Sequence, residues 1–388
     1  KYLRTQHLKI KSRFNKHIIY IATLAALATG IQIFFIGSLI PIFTFILLEV
    51  FIFKKIIHKN FNKKAFFYDL LKSFFIFYFL LIIFWIDAHP NILILPYKIF
   101  IAALSNSYMT GWPLNLVNGT YYLSWQSPKL YFLTNIVFKS PEYFLILYVF
   151  FLLLIVNLKS FFGKIFLNFN YKLYLVLLMI IFPNLVSILI PFPLYDGLRL
   201  FLWSLPYFCI IPGLTIYYLI KNFNDIKSKF LLSFLSLFII YFLFNFFIIT
   251  PYQYTYLNIL NGESSQKYKK FENDYWSVSI NELIKKTNLD KNDVIKVAVC
   301  GAHPRAYTYL KEAGYKNIKK SNPKEADYII MTNRTSRVSG ELTAESTNKN
   351  VKILNCFDRF LGEDIFKVER NNTPLSVFRK KTNISNWD

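Results

Sequence analysis

Three cysteines and five histidines in 388 residues leave little material for a metal centre or a cystine framework. Cys209 lies in an apolar run, and Cys300 and Cys356 stand far apart in a polar tail, a spacing that matches neither a zinc site nor a disulfide scaffold. All three read as packing residues. So few histidines make a multi-histidine metal site hard to assemble, no Ser/His/Asp set is present, and neither metal nor cofactor is expected. The loop "CGAHP" has one glycine and lacks a phosphate-cradling pattern, which argues against a nucleotide site. Acid is scarce as well: residues 1–250 hold 6 Asp/Glu against 22 Lys/Arg, and residues 251–388 hold 16 against 23.

What the chain does have is apolar bulk. Hydrophobic residues make up 54% and aromatics 19%, with 42 Phe, far beyond the usage of an average soluble domain, so the chain reads as a membrane protein. About twenty apolar residues at ~1.5 Å each cross the hydrocarbon core. On that length the expected transmembrane helices are 18–37, 39–53, 66–86, 142–158, 173–191, 201–220 and 230–249, about seven, the second being short and near Pro41, as a tilted or partial span would be. Segments 1–17, 54–65, 159–172 and 221–229 carry 6, 5, 3 and 3 Lys/Arg, whereas the intervening segments carry Lys98, Lys129, Lys139 and Arg199. The positive-inside rule then places the amino terminus in the cytoplasm, and loops 87–141 and 192–200 and everything after residue 250 on the outer side. Topology accounts for the basic runs, and nucleic acid is not an expected partner. Richness in Lys, Ile, Asn and Phe fits an A+T-rich bacterial genome, hence a multi-pass protein of the inner membrane whose carboxy-terminal domain is periplasmic.

The expected architecture is a membrane all-α bundle over residues 1–250 followed by a small soluble α/β domain over 251–388. In the tail, "VIKVAVCG" (294–301) and "EADYIIMTN" (325–333) read as strands around a helix, "HPRAYTYLKEAG" (303–314), with glycine at its end. "DIFKVER", "NNTP" and "LSVFRKK" read as a hairpin through a polar turn. Two acids fall in or beside spans, where an ionisable group is a functional candidate. Each has a plainer reading, Asp69 as a helical pair with Lys72 and Glu49 as near enough to Lys54 and Lys55 to reach the interface, and no second buried acid or basic partner completes a relay. The outward loop reads as an interfacial or re-entrant segment; its Trp112, Asn115, Asn118, Trp125 and Gln126 suit sugar contact and an aromatic belt equally well.

Order and spacing add a resemblance. "PLYDGLRLFLWSLP" (193–206), a span, then "PYQYTYLNILNG" and "FENDYW" are similar to the carboxy-terminal half of a bacterial family of polytopic glycosyltransferases with the GT-C fold, related to the dolichyl-phosphate-mannose protein mannosyltransferases. "LVNGTYYLSWQSPKLYFLTNIVFKSP" resembles that family's outward loop, and "LAALATGIQIFFIGSL" one of its earlier spans. The chain departs from the pattern at Thr250, where histidine is expected, at Leu200, also a histidine position, and at Gln32, where arginine is usual. The family's acidic base lies in the first outward loop, so the resemblance implies a longer protein of which this sequence lacks the amino-terminal spans. Asp87 and His89 in "WIDAHP" are an outward acid and histidine, but their place in the order does not match that base.

The implied reaction moves a sugar from a polyprenyl-phosphate donor to a glycan, lipid or protein acceptor on the outer face. The leaving phosphate needs a cation at the membrane surface, and Arg199 with Asp196 to orient it is the candidate, a structural pair being the alternative. Gln253, Asn258, Glu272, Asp274, Tyr275 and Trp276 either line the sugar or acceptor site or fasten the tail to the bundle. Two other classes stay open: a non-catalytic membrane scaffold of envelope assembly, and a transporter, for which neither repeat nor relay is found.

Overall fold

The computed structural model describes residues 16–31, 35–55, 61–84, 86–94, 97–98, 101, 114–189, 194–301, 305–335, 354–382 and 387. Gln32 and Trp112 lie outside them, as do the side chains of Asp87 and Trp125.

The long apolar runs form helices, because a helix satisfies its backbone within itself and can therefore lie in hydrocarbon. In chain order these are α1 (Lys16–Ile31), α2 (Ile36–Leu48, extended by a π-helical turn Glu49–Phe53) and α3 (Lys63–Phe84). After the hairpin of β1 (Leu114–Val117) and β2 (Thr120–Leu123) come α4 (Tyr131–Lys139), α5 (Glu142–Ile165), α6 (Phe169–Leu189), α7 (Leu205–Lys221) and α8 (Ile226–Ile248). Six helical stretches among the described residues are long and apolar enough to cross a bilayer, which marks the chain as a membrane protein. They are Ile36–Phe53, Lys63–Phe84, Glu142–Ile165, Phe169–Leu189, Arg199–Lys221 and Ile226–Ile248. The stretch expected at 39–53 thus starts earlier and has 18 residues, while the one expected at 18–37 gives α1, with 16.

Two compact units divide the chain: Lys1–Gly111 with Leu147–Lys229, and Trp112–Ile146 with Phe230–Asp388. In the first, α1 packs along α3, and α6 packs against both α2 and α7. Aromatic edges fill the seams: Tyr171 lies 4.8 Å from Phe45 and 5.8 Å from Phe53, and Phe162 lies 5.2 Å from Phe169. Glu49 is fully buried at the start of the π turn, which ends at Lys54 in left-handed conformation, so it does not reach the surface with Lys54 and Lys55.

The second unit is built on a five-stranded sheet of order β4-β3-β5-β7-β6. Its strands are β3 (Ile295–Cys300), β4 (Ile318–Lys320), β5 (Tyr328–Thr332), β6 (Glu363–Arg370) and β7 (Thr373–Lys380). β3 pairs in parallel with β4 and β5, and β7 runs antiparallel to β5 and β6. Three short helices accompany the sheet: α9 (Ser279–Lys286), α10 (Ala306–Glu312) and α11 (Cys356–Arg359). Strand alternation divides two cores. Ile295, Val297 and Ile330 pack with Ile280, Leu283 and Ile284 of α9 and Leu310 of α10, while Ala298, Cys300, Ile329 and Met331 pack with Phe357, Phe360 and Trp387. Both hairpins turn on two residues of positive φ, Asn118-Gly119 and Asn371-Asn372, the geometry that matches strand twist.

One expectation is corrected. Cys300 and Cys356 form a disulfide, with Cα atoms 5.9 Å apart, rather than serving as separate packing residues. The strand order brings the end of β3 to the start of α11, which sequence spacing does not reveal. Gly301 makes the approach possible: it sits at φ +65°, and a Cβ there would meet the Cys356 Sγ and Thr332 Oγ1 at 3.0 Å.

Candidate functional site

In the first unit, the short loop before α7 holds Asp196 and Arg199. Asp196 takes a positive φ of 53°, and its Oδ2 accepts from Arg199 Nη1 at 3.3 Å. The Asp196 side chain is 10% exposed and that of Arg199 43%, so the acid is tucked in while much of the guanidinium faces outward. The arrangement positions a cation at the first residue of the membrane-length helical stretch Arg199–Lys221.

In the second unit, the segment after α8 is organised by buried acids. Asp274 is fully buried: Oδ1 accepts from Tyr254 Oη and from Val278 N at 2.9 Å, and Oδ2 accepts from Ser279 N at 2.9 Å and Ser279 Oγ at 2.5 Å. It thereby ties the tyrosine run after the last span to the amides that open α9, where an acceptor also suits the helix dipole. Burial, then the neighbouring Asp274 charge, pushes the Tyr254 phenol well above its ordinary range. Glu272 is buried, and its Oε2 accepts from Arg334 Nη2 at 3.2 Å; Arg334 Nη1 donates to the Tyr275 carbonyl at 3.0 Å. Tyr275 is half-buried with its ring 5.5 Å from Tyr254 and 5.9 Å from Trp276, which stays exposed. Asn258 is buried, its Nδ2 donating to the carbonyls of Val137 (2.6 Å) and Ser140 (2.9 Å) and its Oδ1 accepting from Leu260 N. Gln253 donates to Thr250 Oγ1 at 2.8 Å. From the outward loop, Asn115 donates to Ser124 Oγ, and Asn118 forms the hairpin turn.

Three groups that the sequence did not single out complete this network. Glu142, the first residue of α5, accepts from Tyr256 Oη at 2.5 Å and Ile259 N at 2.8 Å. Lys267 is buried and donates to the Leu257 carbonyl at 2.8 Å; burial lowers its pKa, and Glu142 opposes that. With Asn245, Arg370 and Asn371 they line a polar cavity of about 20 Å³, the size that one water needs. The third group is Glu282 on α9, whose Oε2 accepts from Tyr252 Oη (2.8 Å) and Arg370 Nη2 (2.6 Å), and whose Oε1 accepts from Lys286 (2.6 Å). The Lys286 pair is a local one at helical spacing, but Tyr252 and Arg370 are 30 and 88 residues away, and no local motif marks those pairings.

Glu282 carries a pH prediction. Burial raises its pKa, but the bonds from Lys286, Tyr252 and Arg370 outweigh this and bring it from 4.5 down to about 2. A depressed folded-state pKa contributes stability that is complete above the unfolded value and is lost as pH falls from about 4.5 to about 2. The Glu282 side chain is only partly buried, 21% of it remaining in solvent, so the contribution is discounted to about 1 kcal/mol. Melting curves across that window should separate the native protein from Glu282→Gln at pH 6 and bring the two together near pH 2; parallel curves would discard the assignment.

Among the described residues, no three His, Cys, Asp or Glu side chains are grouped to hold a metal ion. No protein-family model, curated protein or solved structure matches this chain.

Proposed function

We propose that the chain is part of a membrane glycosyltransferase of GT-C type that moves a sugar from a polyprenyl-phosphate carrier to an acceptor on the outer face of the membrane. The observation that carries the reading is Arg199: a half-exposed guanidinium, oriented by a mostly buried Asp196, at the start of a span-length helical stretch. Such a cation can neutralise the phosphate that leaves as the sugar is transferred. The resemblance of residues 193–206 and 251–276 to the family supports it. So does the charge asymmetry of the loops, which favours an outward site, a seven-span bundle and an extracytoplasmic carboxy-terminal domain. The Cys300–Cys356 disulfide fits that oxidising side of an inner membrane. In this reading Gln253 and Tyr275 contact sugar or acceptor, while Asp274, Glu272 and Asn258 hold the segment in place.

The test is transfer from a polyprenyl-phosphate sugar in proteoliposomes. Arg199→Ala should lose about a hundredfold in rate with its melting temperature unchanged, the scale on which removing one charge-stabilising donor acts. Transfer at the native rate by a folded Arg199→Ala protein would refute the role.

A second reading, a non-catalytic scaffold of envelope assembly, is favoured by one observation. The acids Glu272 and Asp274 and the amide Asn258 spend their hydrogen bonds within the second unit. It predicts no transfer by the protein from any polyprenyl-phosphate sugar, and a stable complex with an envelope protein.

A further inference from the structure

Some of the residues that follow α8 are apolar and yet not covered. Tyr254, Trp276 and Val278 remain 37%, 52% and 50% exposed, although the chain between them contributes Asp274, Ser277 and other buried groups. Val278 also lines an open cleft of about 470 Å³ with Pro251, Asn281, Glu282, Lys285 and Lys286. The one carboxylate there, Glu282, is answered by both Lys286 and Arg370, and Lys285 adds a further positive charge at the rim. Tyr252 is the aromatic residue in its lining, and Trp276 stands two positions before Val278, so the balance of the cleft is cationic with aromatic residues beside it.

Its place in the second unit says what kind of surface it meets. Pro251 comes three positions after the end of α8 at Ile248, a helix long and apolar enough to cross a bilayer. The β6–β7 turn is fastened to that helix by Asn371 Nδ2 donating to Asn245 Oδ1 at 3.0 Å, and Arg370 Nε donates to the Thr250 carbonyl at 3.2 Å. The cleft is thus tied to the end of α8, which for a helix of membrane-crossing length falls in the headgroup layer. Tryptophan and tyrosine concentrate in that layer, and lysines there meet lipid phosphates.

We propose that this cleft is the seat of an anionic phospholipid headgroup from the bilayer that α8 enters, with Lys285 and Lys286 on the phosphate and Trp276, Tyr254 and Val278 in the headgroup layer. The inference depends on α8 being a membrane helix; it depends neither on sugar transfer nor on which side of the membrane the cleft faces.

The experiment places the whole chain in phosphatidylcholine nanodiscs containing a minor fraction of either brominated phosphatidylglycerol or brominated phosphatidylcholine. The fluorescence difference between the native protein and Trp276→Phe isolates Trp276. Brominated phosphatidylglycerol should quench Trp276 at least about fivefold more effectively than the same fraction of brominated phosphatidylcholine, each surface lysine being worth roughly a factor of five in partitioning. Lys285→Gln with Lys286→Gln should bring the two lipids close to parity at an unchanged melting temperature. Equal quenching by both lipids in the native protein would overturn the proposal. So would free access of aqueous iodide to Trp276, or shielding from lipid and iodide alike, the mark of a protein cover. If the double variant fails to fold, the comparison of the two lipids on the native protein decides alone.

Discussion

Asp274→Ala should cost the second unit about 4 kcal/mol and lower the hydrogen-exchange protection of β3, β5 and β7 by roughly a thousandfold. The expectation rests on how many donors the carboxylate serves. Ser279 N and Ser279 Oγ are fully buried beside it, and Ser279 Oγ is also 2.7 Å from Ser376 Oγ on β7, so removing the acceptor leaves polar groups without water to turn to. Each such orphan costs about 1–3 kcal/mol. Val278 N and Tyr254 Oη are only partly buried, so losing the acceptor costs less there than at Ser279, which keeps the total near the stated value. Asp274→Asn retains one acceptor oxygen and should lose about half as much. A native protection pattern in the alanine variant would show that the carboxylate is not a structural hub, and its role in contacting sugar or acceptor would move forward.

Replacing both cysteines of the Cys300–Cys356 bridge by serine should destabilise the same unit by about 4 kcal/mol. The partners are 56 residues apart. A loop of that length in the unfolded chain loses conformational freedom worth roughly 4 kcal/mol when closed, on the chain-entropy account. Both sulfurs lie in the core beside Phe357, Phe360 and Trp387, so serine also places hydroxyls among apolar groups. The check has two parts. Reductant should change the gel mobility of the denatured native protein and lower the melting temperature of the folded one, and it should do neither to the double-serine protein. If reductant leaves the native protein's melting and mobility as they were, the bridge does not form.

These two residues show where sequence reasoning succeeds and where it stops. β3, β5, α10 and the β6–β7 hairpin are legible because their signals are local: alternating apolar residues, Gly314 after a helix, and Asn371-Asn372 between two strand patterns. The β1–β2 hairpin was equally legible in principle, since Asn118-Gly119 between alternating residues is a strong hairpin signal. Its aromatics and amides suit sugar contact as well as strand pairing, so they do not single out the hairpin. β4 was out of reach: three residues, two of them exposed lysines, carry no strand pattern. Asp274 could be read as an acid near a span but not as a hub, because its wider network depends on Ser376, about a hundred positions later, and sequence alone does not bring the two together. The bond between Glu142 and Tyr256, 114 residues apart, depends on tertiary structure in the same way. Arg199 and Asp196 are the opposite case, being three apart in one turn.

The strand order has a consequence for how this protein is made. β7, the last strand among the described residues, lies between β5 and β6, and its pairing with β5 links the parallel strands to the β6–β7 hairpin. The parallel trio β4-β3-β5 therefore waits, with one edge unsatisfied, until residue 380 has left the ribosome and the finished hairpin can dock. By then α8 has long since emerged and can already lie in the bilayer. The β5 edge of the trio must therefore stay unpaired during synthesis, a window in which holding chaperones or proteases decide its fate.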